Sequence, residues 1–428
     1  MKCLSRLSLL LLLSALLACE SSDEDALPGV EREELADLKV YRSDSPYADV
    51  MKQCATRDSS DTACTLGTLP LIGMNDSDPD IDTVMSRLLV SHDWMGERFE
   101  ELLNIFPDEL LRLFRGVTAI VIDDDIRPAF YTAATGAIYL DPNYLWLSVE
   151  EAGTINPKDD FRSGYSDPLS VRILNRYVKD GDVAYRYYPP DSPTPRALSD
   201  IEYLVASLLL HELAHANDFF PPALHTQLDP DLRPWPAASS ISSSWISTQL
   251  DYSNGLSSQT MFDLADVMFK GETASDAVIA ITPEQAAAAF DPDGASDDYA
   301  YSSQYEDIAM LFEETMLLYL HGIERDLAFT TAPGATGYCD EYVIAWGTRV
   351  RLSEPQVAAR AEFVANQMLP EIDFDAFFRT LPETQSLPEG VDWCTSLYWQ
   401  GDTSTSKGTE VLREKATASP LPPTPFHL

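Results

Sequence analysis

The residues of this 428-residue chain that can do chemistry together begin with His211-Glu212-Leu213-Ala214-His215. Four residues turn an α-helix through about 400°, so His211 and His215 project from one face, one turn apart. Two imidazoles so placed can hold one Zn²⁺ from a single helix, and Glu212 between them can reach a water on that metal. A pattern this short also arises by chance, so the surrounding helix carries the argument. Ile201, Leu204, Val205, Leu208, Leu209, Leu210 and Leu213 make it apolar nearly all round, as a buried helix is. Ser199 and Glu202 form an S-x-x-E capping box at its start, and Pro221-Pro222 stops it. The plain alternative is a pair of core histidines satisfied by hydrogen bonds beside a buried Glu. Three such groups on an apolar helix are costly without a cation to share.

The rest of the chain must position that motif. An apolar content of 45% with 10% aromatics belongs to a folded globular body, long enough for one large domain or two. A net charge of −40 excludes nucleic acid and anionic membrane surfaces as partners. Lys2 and Arg6 precede the apolar run Leu9–Leu13, which reads as a secretion leader too short to span a membrane comfortably. Its end, Leu16-Leu17-Ala18-Cys19, resembles the bacterial lipoprotein box, although Leu17 departs from the usual choice. That resemblance implies cleavage before Cys19, lipid on its thiol and a place at the cell envelope, on the periplasmic or surface side of the outer membrane. Cys54, Cys64, Cys339 and Cys394 then read as disulfide cysteines of an exported protein, with three possible pairings. Cys54 with Cys64 would close a short loop, and Cys339 with Cys394 would tie the C-terminal region together.

The expected fold class is α+β, a mostly mixed twisted sheet with the motif helix packed across it. Residues 19–45 are acidic and suit a tether, residues 46–398 form the catalytic body with N- and C-terminal extensions, and the tail from 399 is expected to be disordered. Apolar spacing predicts helix from Ile81 to Leu103, with His92 in it at the surface or core edge. Val117–Ile122 reads as a strand ended by Asp123-Asp124-Asp125. Phe130–Ala134 and Ala137–Leu140 flank Thr135-Gly136 as a hairpin. A short helix is expected near Leu169–Val178, and residues 226–258, with Trp235 and Trp245, read as a loop over the site or an insertion. Tyr305–Leu320 is a second strong helix ended by Gly322, and a Ser353–Gln356 capping box opens another toward Met368. The aspartate triplet and Asp291-Pro292-Asp293-Gly294 each resemble part of a calcium site, though solvated strand ends and turns look the same.

Catalytic zinc takes three protein ligands and leaves a position for water. A third His in the H-E-x-x-H-x-x-G-x-x-H arrangement is excluded, because Asp218 and Pro221 stand at those places, and His225 is out of register and expected at the surface. Two glutamates remain. Glu272 lies in Gly271-Glu272-Thr273-Ala274-Ser275-Asp276, which looks like the N-E-x-x-S-D of the thermolysin group with Gly for Asn. Glu306 opens Glu306-Asp307-Ile308-Ala309-Met310-Leu311-Phe312, which resembles the E-x-x-A-E-x-F helix of gluzincins related to anthrax lethal factor. That family also carries H-E-x-x-H-x-x-D, matched here by Asp218, and a Tyr seven residues before the ligand Glu, matched by Tyr299. Met310 departs from the pattern at the second Glu. The resemblance is at the level of motifs and covers residues 117–320. Glu306 also ends an S-x-x-E capping box from Ser303 and can be a helix cap alone. The wide apolar face of Ile308, Ala309, Leu311, Phe312, Thr315 and Met316 favours Glu306 over Glu272, which follows Lys270-Gly271.

The expectation is a zinc metallopeptidase. His211, His215 and Glu306 would bind the metal, Glu212 would act as general base, and Tyr299, by the family resemblance, would act on the oxyanion. Asp218 would hold a ligand histidine in its tautomer. The resemblance also implies that an edge strand such as Ala137–Leu140 pairs with an extended peptide substrate. The chain is expected to be a monomer that meets the membrane only through its lipid. The rivals are a non-catalytic zinc-containing surface lipoprotein and an amidase of cell-wall cross-links. Retention of Glu212 argues against the first, since a purely structural site has no use for a base.

Overall fold

A computed structural model of the chain describes residues 35, 37–56, 63–157, 160–186, 188, 193–333 and 339–398. Cys19, the leader, most of the tether and the tail from 399 lie outside the described residues. The fold is α+β with two five-stranded sheets.

The first sheet is mixed. Its strands are β1 (Lys39–Val40), β2 (Leu88–Val90), β3 (Ile120–Ile122), β4 (Phe130–Thr132) and β5 (Ala137–Leu140), in the order β1-β2-β3-β5-β4. β2, β3 and β5 run parallel, with Leu88 beside Ile120 and Ile120 beside Ile138. These three are buried along their whole length, which explains their unbroken apolar runs. β1 and β4 close the two edges antiparallel. The second sheet is antiparallel throughout: β6 (Val171–Lys179), β7 (Asp182–Val183), β8 (Glu324–Thr331), β9 (Ile344–Arg349) and β10 (Gln385–Ser386), in the order β10-β9-β8-β6-β7.

Six helices matter for the site: α1 (Asp93–Leu103), α2 (Leu198–Phe219), α3 (Ile246–Asn254), α4 (Gln259–Lys270), α5 (Gln304–His321) and α6 (Pro355–Met368). α2 packs against β4 and β5, α5 lies along α2 and reaches β8, and α3 and α6 pack on α5. One apolar core joins β2, β3 and β5 with α2, α5 and α6. Each wholly buried Leu in it contributes roughly 2 kcal/mol. No helix among the described residues is long and apolar enough to cross a membrane. The cysteines pair Cys54–Cys64 and Cys339–Cys394, with Cα separations of 5.2 and 5.8 Å.

Several elements differ from what the spacing predicts. The stretch from Ile81 to Leu103 is not one helix, because Leu88-Leu89-Val90 enters the sheet as β2 and a short apolar run looks alike in a buried strand or helix. His92 stands at the N-cap of α1. Residues 171–179 form the longest strand of the second sheet, built on Val171, Ile173 and Val178. Residues 226–258 hold the helices Pro234–Ser240 and α3, the first opened by a Pro at its first position, where no N–H is missed. Part of the acidic tether belongs to the body: Leu35 and Leu38 are buried, and Lys39–Val40 pairs with β2. Ala137–Leu140 is an inner strand, and the edge on that side is β4. The caps shift too. Asp200, not Glu202, accepts the Ala197 N–H at the start of α2, and Glu354, not Ser353, stands before α6.

Candidate metal centre

Deep in α2, His211 is 0% and His215 8% exposed, and their rings stand edge to face with centroids 4.9 Å apart. α5 approaches them with its first turn. Ser303 caps that turn by accepting the Glu306 N–H at 3.2 Å, so Glu306 spends its backbone on the cap and its carboxylate on the histidines. Glu306 Oε2 lies 3.0 Å from His211 Nε2 and 3.3 Å from His215 Nε2. Among the described residues this is the one group of three or more metal-capable side chains whose donor atoms lie within 4.8 Å of one another.

Glu272 is not part of it. α4 ends at Lys270, and Gly271, with φ +69, turns the chain away as only glycine does freely. Glu272 is exposed on the rim of a hollow of about 430 Å³ beside Tyr165.

Asp218 is wholly buried, but the hydrogen bond it makes goes elsewhere. Its Oδ1 accepts the Ser247 N–H at 2.8 Å and ties the start of α3 to the end of α2. Burial pushes its pKa up to about 6. The second carboxylate that touches a motif histidine, beside Glu306, is Glu313, which the gluzincin motif passes over. Its Oε2 accepts from His211 Nδ1 at 3.1 Å, and its Oε1 accepts from the Tyr177 hydroxyl at 2.7 Å and from Ser207 Oγ. Glu313 follows Glu306 by seven residues, two turns along one face of α5. Met310, at the place of the family's second Glu, is core instead. The i+7 spacing of Glu313 from Glu306 puts both acids on one face of α5, but only the packing of α5 on α2 brings Glu313 to His211.

In the neutral form a proton on Nδ1 facing Glu313 would leave the Nε2 lone pair toward Glu306. Burial would push the His211 pKa down, but Glu306 and Glu313 on its two nitrogens outweigh that and hold it well above the ordinary histidine value. Against the same burial, His215 and His211 hold Glu306 well below the ordinary carboxyl range. His211 and Glu306 thus each favour their charged form, the cation on the imidazole and the anion on the carboxylate.

Glu212 is 2% exposed, and its Oε2 has no hydrogen-bond partner among the described residues. Burial raises its pKa while His211 and His215 pull it down. Tyr299 sits on the short 3₁₀ turn Tyr299–Tyr301, with its ring centroid 6.1 Å from that of His211. Burial and then the Glu306 charge raise its pKa well above the ordinary phenol value, so it keeps its proton. Arg162, which sequence reasoning also missed, is buried, pairs with Asp160 at 2.7 Å, and its charge acts on both Glu212 and Tyr299. Beyond His215, the ring of Phe219 stacks with Tyr305 at 5.0 Å and meets Trp245 edge-on at 4.7 Å.

His225 is buried, its Nε2 donating to the Phe220 carbonyl at 2.7 Å, and is not at the surface. Asp293 accepts the N–H groups of Ser257 and Ser258 and the Tyr301 hydroxyl, so it works as a clamp at the start of α4. Comparison of the chain with protein-family models, with curated proteins and with solved structures finds no match in any of the three.

Proposed function

We propose that this protein is a zinc-dependent peptidase of the gluzincin kind, with a zincin-like arrangement of α2 across the first sheet. The carrying observation is that His211, His215 and Glu306 converge while the neighbouring Glu212 presents a buried oxygen with no partner among the described residues. Two imidazole nitrogens and one carboxylate are the donor set that suits catalytic zinc, and an unpartnered buried carboxylate is unexplained in a purely structural site. His211, His215 and Glu306 would hold the ion. When bound, zinc supplies Lewis acidity and brings the pKa of its water toward neutrality.

The chain's own groups do the rest. Glu212 receives the proton of the attacking water at Oε2 and hands it to the leaving nitrogen of the cleaved amide. Tyr299, kept protonated, donates a hydrogen bond to the oxygen that becomes negative in the transition state. Glu313 fixes the tautomer and ring orientation of His211. Arg162 lies close enough for its positive charge to act on both Glu212 and Tyr299. An extended peptide would pair with β4, the sheet edge whose Tyr131 stacks on Phe219 at the end of α2. The leader supports secretion and lipid attachment at Cys19.

A mixed peptide library tests this reading. Wild-type protein with zinc should cleave internal peptide bonds, a chelator should stop it, and Glu212→Gln should keep the metal and lose cleavage. A Glu212→Gln variant as fast as wild type would exclude the mechanism.

A further inference from the structure

Tyr299 rides on a single 3₁₀ turn just before α5. That turn is anchored by Asp297, 0% exposed, whose Oδ1 accepts the Ala300 N–H at 3.1 Å. The other oxygen of the same carboxylate accepts from Arg325 Nη2 at 2.6 Å. Arg325 is 3% exposed and projects from β8, where it stands opposite Tyr177 of β6. Its guanidinium lies over the Tyr177 ring, 5.4 Å from the centroid. The Tyr177 hydroxyl in turn donates to Glu313, which accepts from His211. One guanidinium therefore links, directly or through Tyr177, the carboxylate that anchors the Tyr299 turn and the carboxylate that orients His211.

We infer that Asp297 and Arg325 are positioning residues, and that their ion pair fixes the Tyr299 turn against the metal helix. The inference rests on the peptidase reading for the role of Tyr299. It concerns placement, since neither residue reaches the reacting atoms. A buried carboxylate with two oxygens is well suited to such placement, because one guanidinium nitrogen on a rigid strand, Arg325 Nη2, holds one oxygen and leaves the other to take a backbone N–H. Without that bond, the carboxylate can turn, and the Ala300 N–H loses its acceptor.

Two variants of the full chain test this. Asp297→Asn keeps an oxygen for Ala300 and removes the charge, and Arg325→Gln removes the cation that holds the other oxygen. Hydrogen exchange on the metal-free protein reads the turn without any activity. Peptides covering residues 296–303 should exchange about tenfold faster in both variants, while α2 keeps its protection. In zinc-supplied protein, kcat should fall about tenfold with KM and zinc affinity nearly unchanged, because Tyr299 acts in the transition state. In a Tyr299→Phe background, Asp297→Asn should cost almost nothing further. Unchanged exchange of the turn, or a loss that simply multiplies on Tyr299→Phe, overturns the inference. Wild-type protein that cleaves nothing refutes the peptidase reading instead, and the exchange result still decides whether the ion pair holds the turn. If either single variant does not fold, Asp297→Asn with Arg325→Gln removes both buried charges together, and the same readouts apply to it.

Discussion

At the end of β3, Asp123 is wholly buried, accepts one N–H from Asp125 and faces the charges of Asp124, Asp125 and Asp37. Burial leads, and those neighbours add to it, in pushing its pKa up to about 7. At the facing turns of α2 and α5, Glu313 is equally buried and Glu306 largely so, yet both are held below the ordinary carboxyl range. Both regions are acid-rich and buried. The difference is the imidazole: His211 gives two carboxylates a partner to share, whereas the charges that weigh most on Asp123 are negative. Burial alone protonates a carboxylate, whereas burial with a convergent partner builds a site.

That contrast can be broken at its strongest point. Glu306→Ala should cost more than about a hundredfold in zinc affinity, beyond what an outer partner is worth, while Glu272→Ala should leave it unchanged in a competition titration. The reverse ranking would move the third ligand to the loop after α4. Glu313→Gln comes next, with an expected loss of about 10–100-fold in zinc affinity, because His211 then loses its charged partner.

At the other region the effect is on stability and depends on pH. The Asp123 pKa is raised in the folded state, so its contribution is full below about 4 and is lost as pH rises through about 7. Asp123→Asn should therefore gain on wild type by roughly 3–4 kcal/mol between pH 4 and pH 8, several degrees in Tm. Denaturant midpoints at the two pH values check this, and a gain at pH 4 instead would refute the assignment. The smallest effect belongs to Asp218→Asn. Its hydrogen bond is to the Ser247 N–H, so zinc affinity should change by about threefold at most, well short of Glu313→Gln.

The placement of the α2 residues was open to reading because their signals are local. His211, Glu212 and His215 share one helix face, and the apolar run around them fixes both its length and its burial. Glu306 was open for a similar reason, since a capping Ser303 and an apolar face place it at the first turn of a core helix. Glu313 was not, because its role depends on the register of α5 against α2, which no short pattern contains. The same limit applies to Asp297 and Arg325, 28 residues apart and joined only by the folding of β8 beside the Tyr299 turn. β2 and β6 were missed for a different reason: in Leu88–Val90 and Val171–Lys179, the strand alternation is hidden by burial on both faces or broken by paired charges such as Arg176 with Asp326.

Metal content is the most direct measure of whether α2 and α5 together build a metal centre. Purified full-length protein, stripped and then supplied with zinc, should hold one equivalent per chain by elemental analysis. Glu212→Gln should hold the same amount, and His211→Ala and His215→Ala should hold almost none. Wild-type protein that takes up no stoichiometric zinc after reconstitution, or histidine variants that bind as much as wild type, would contradict that claim.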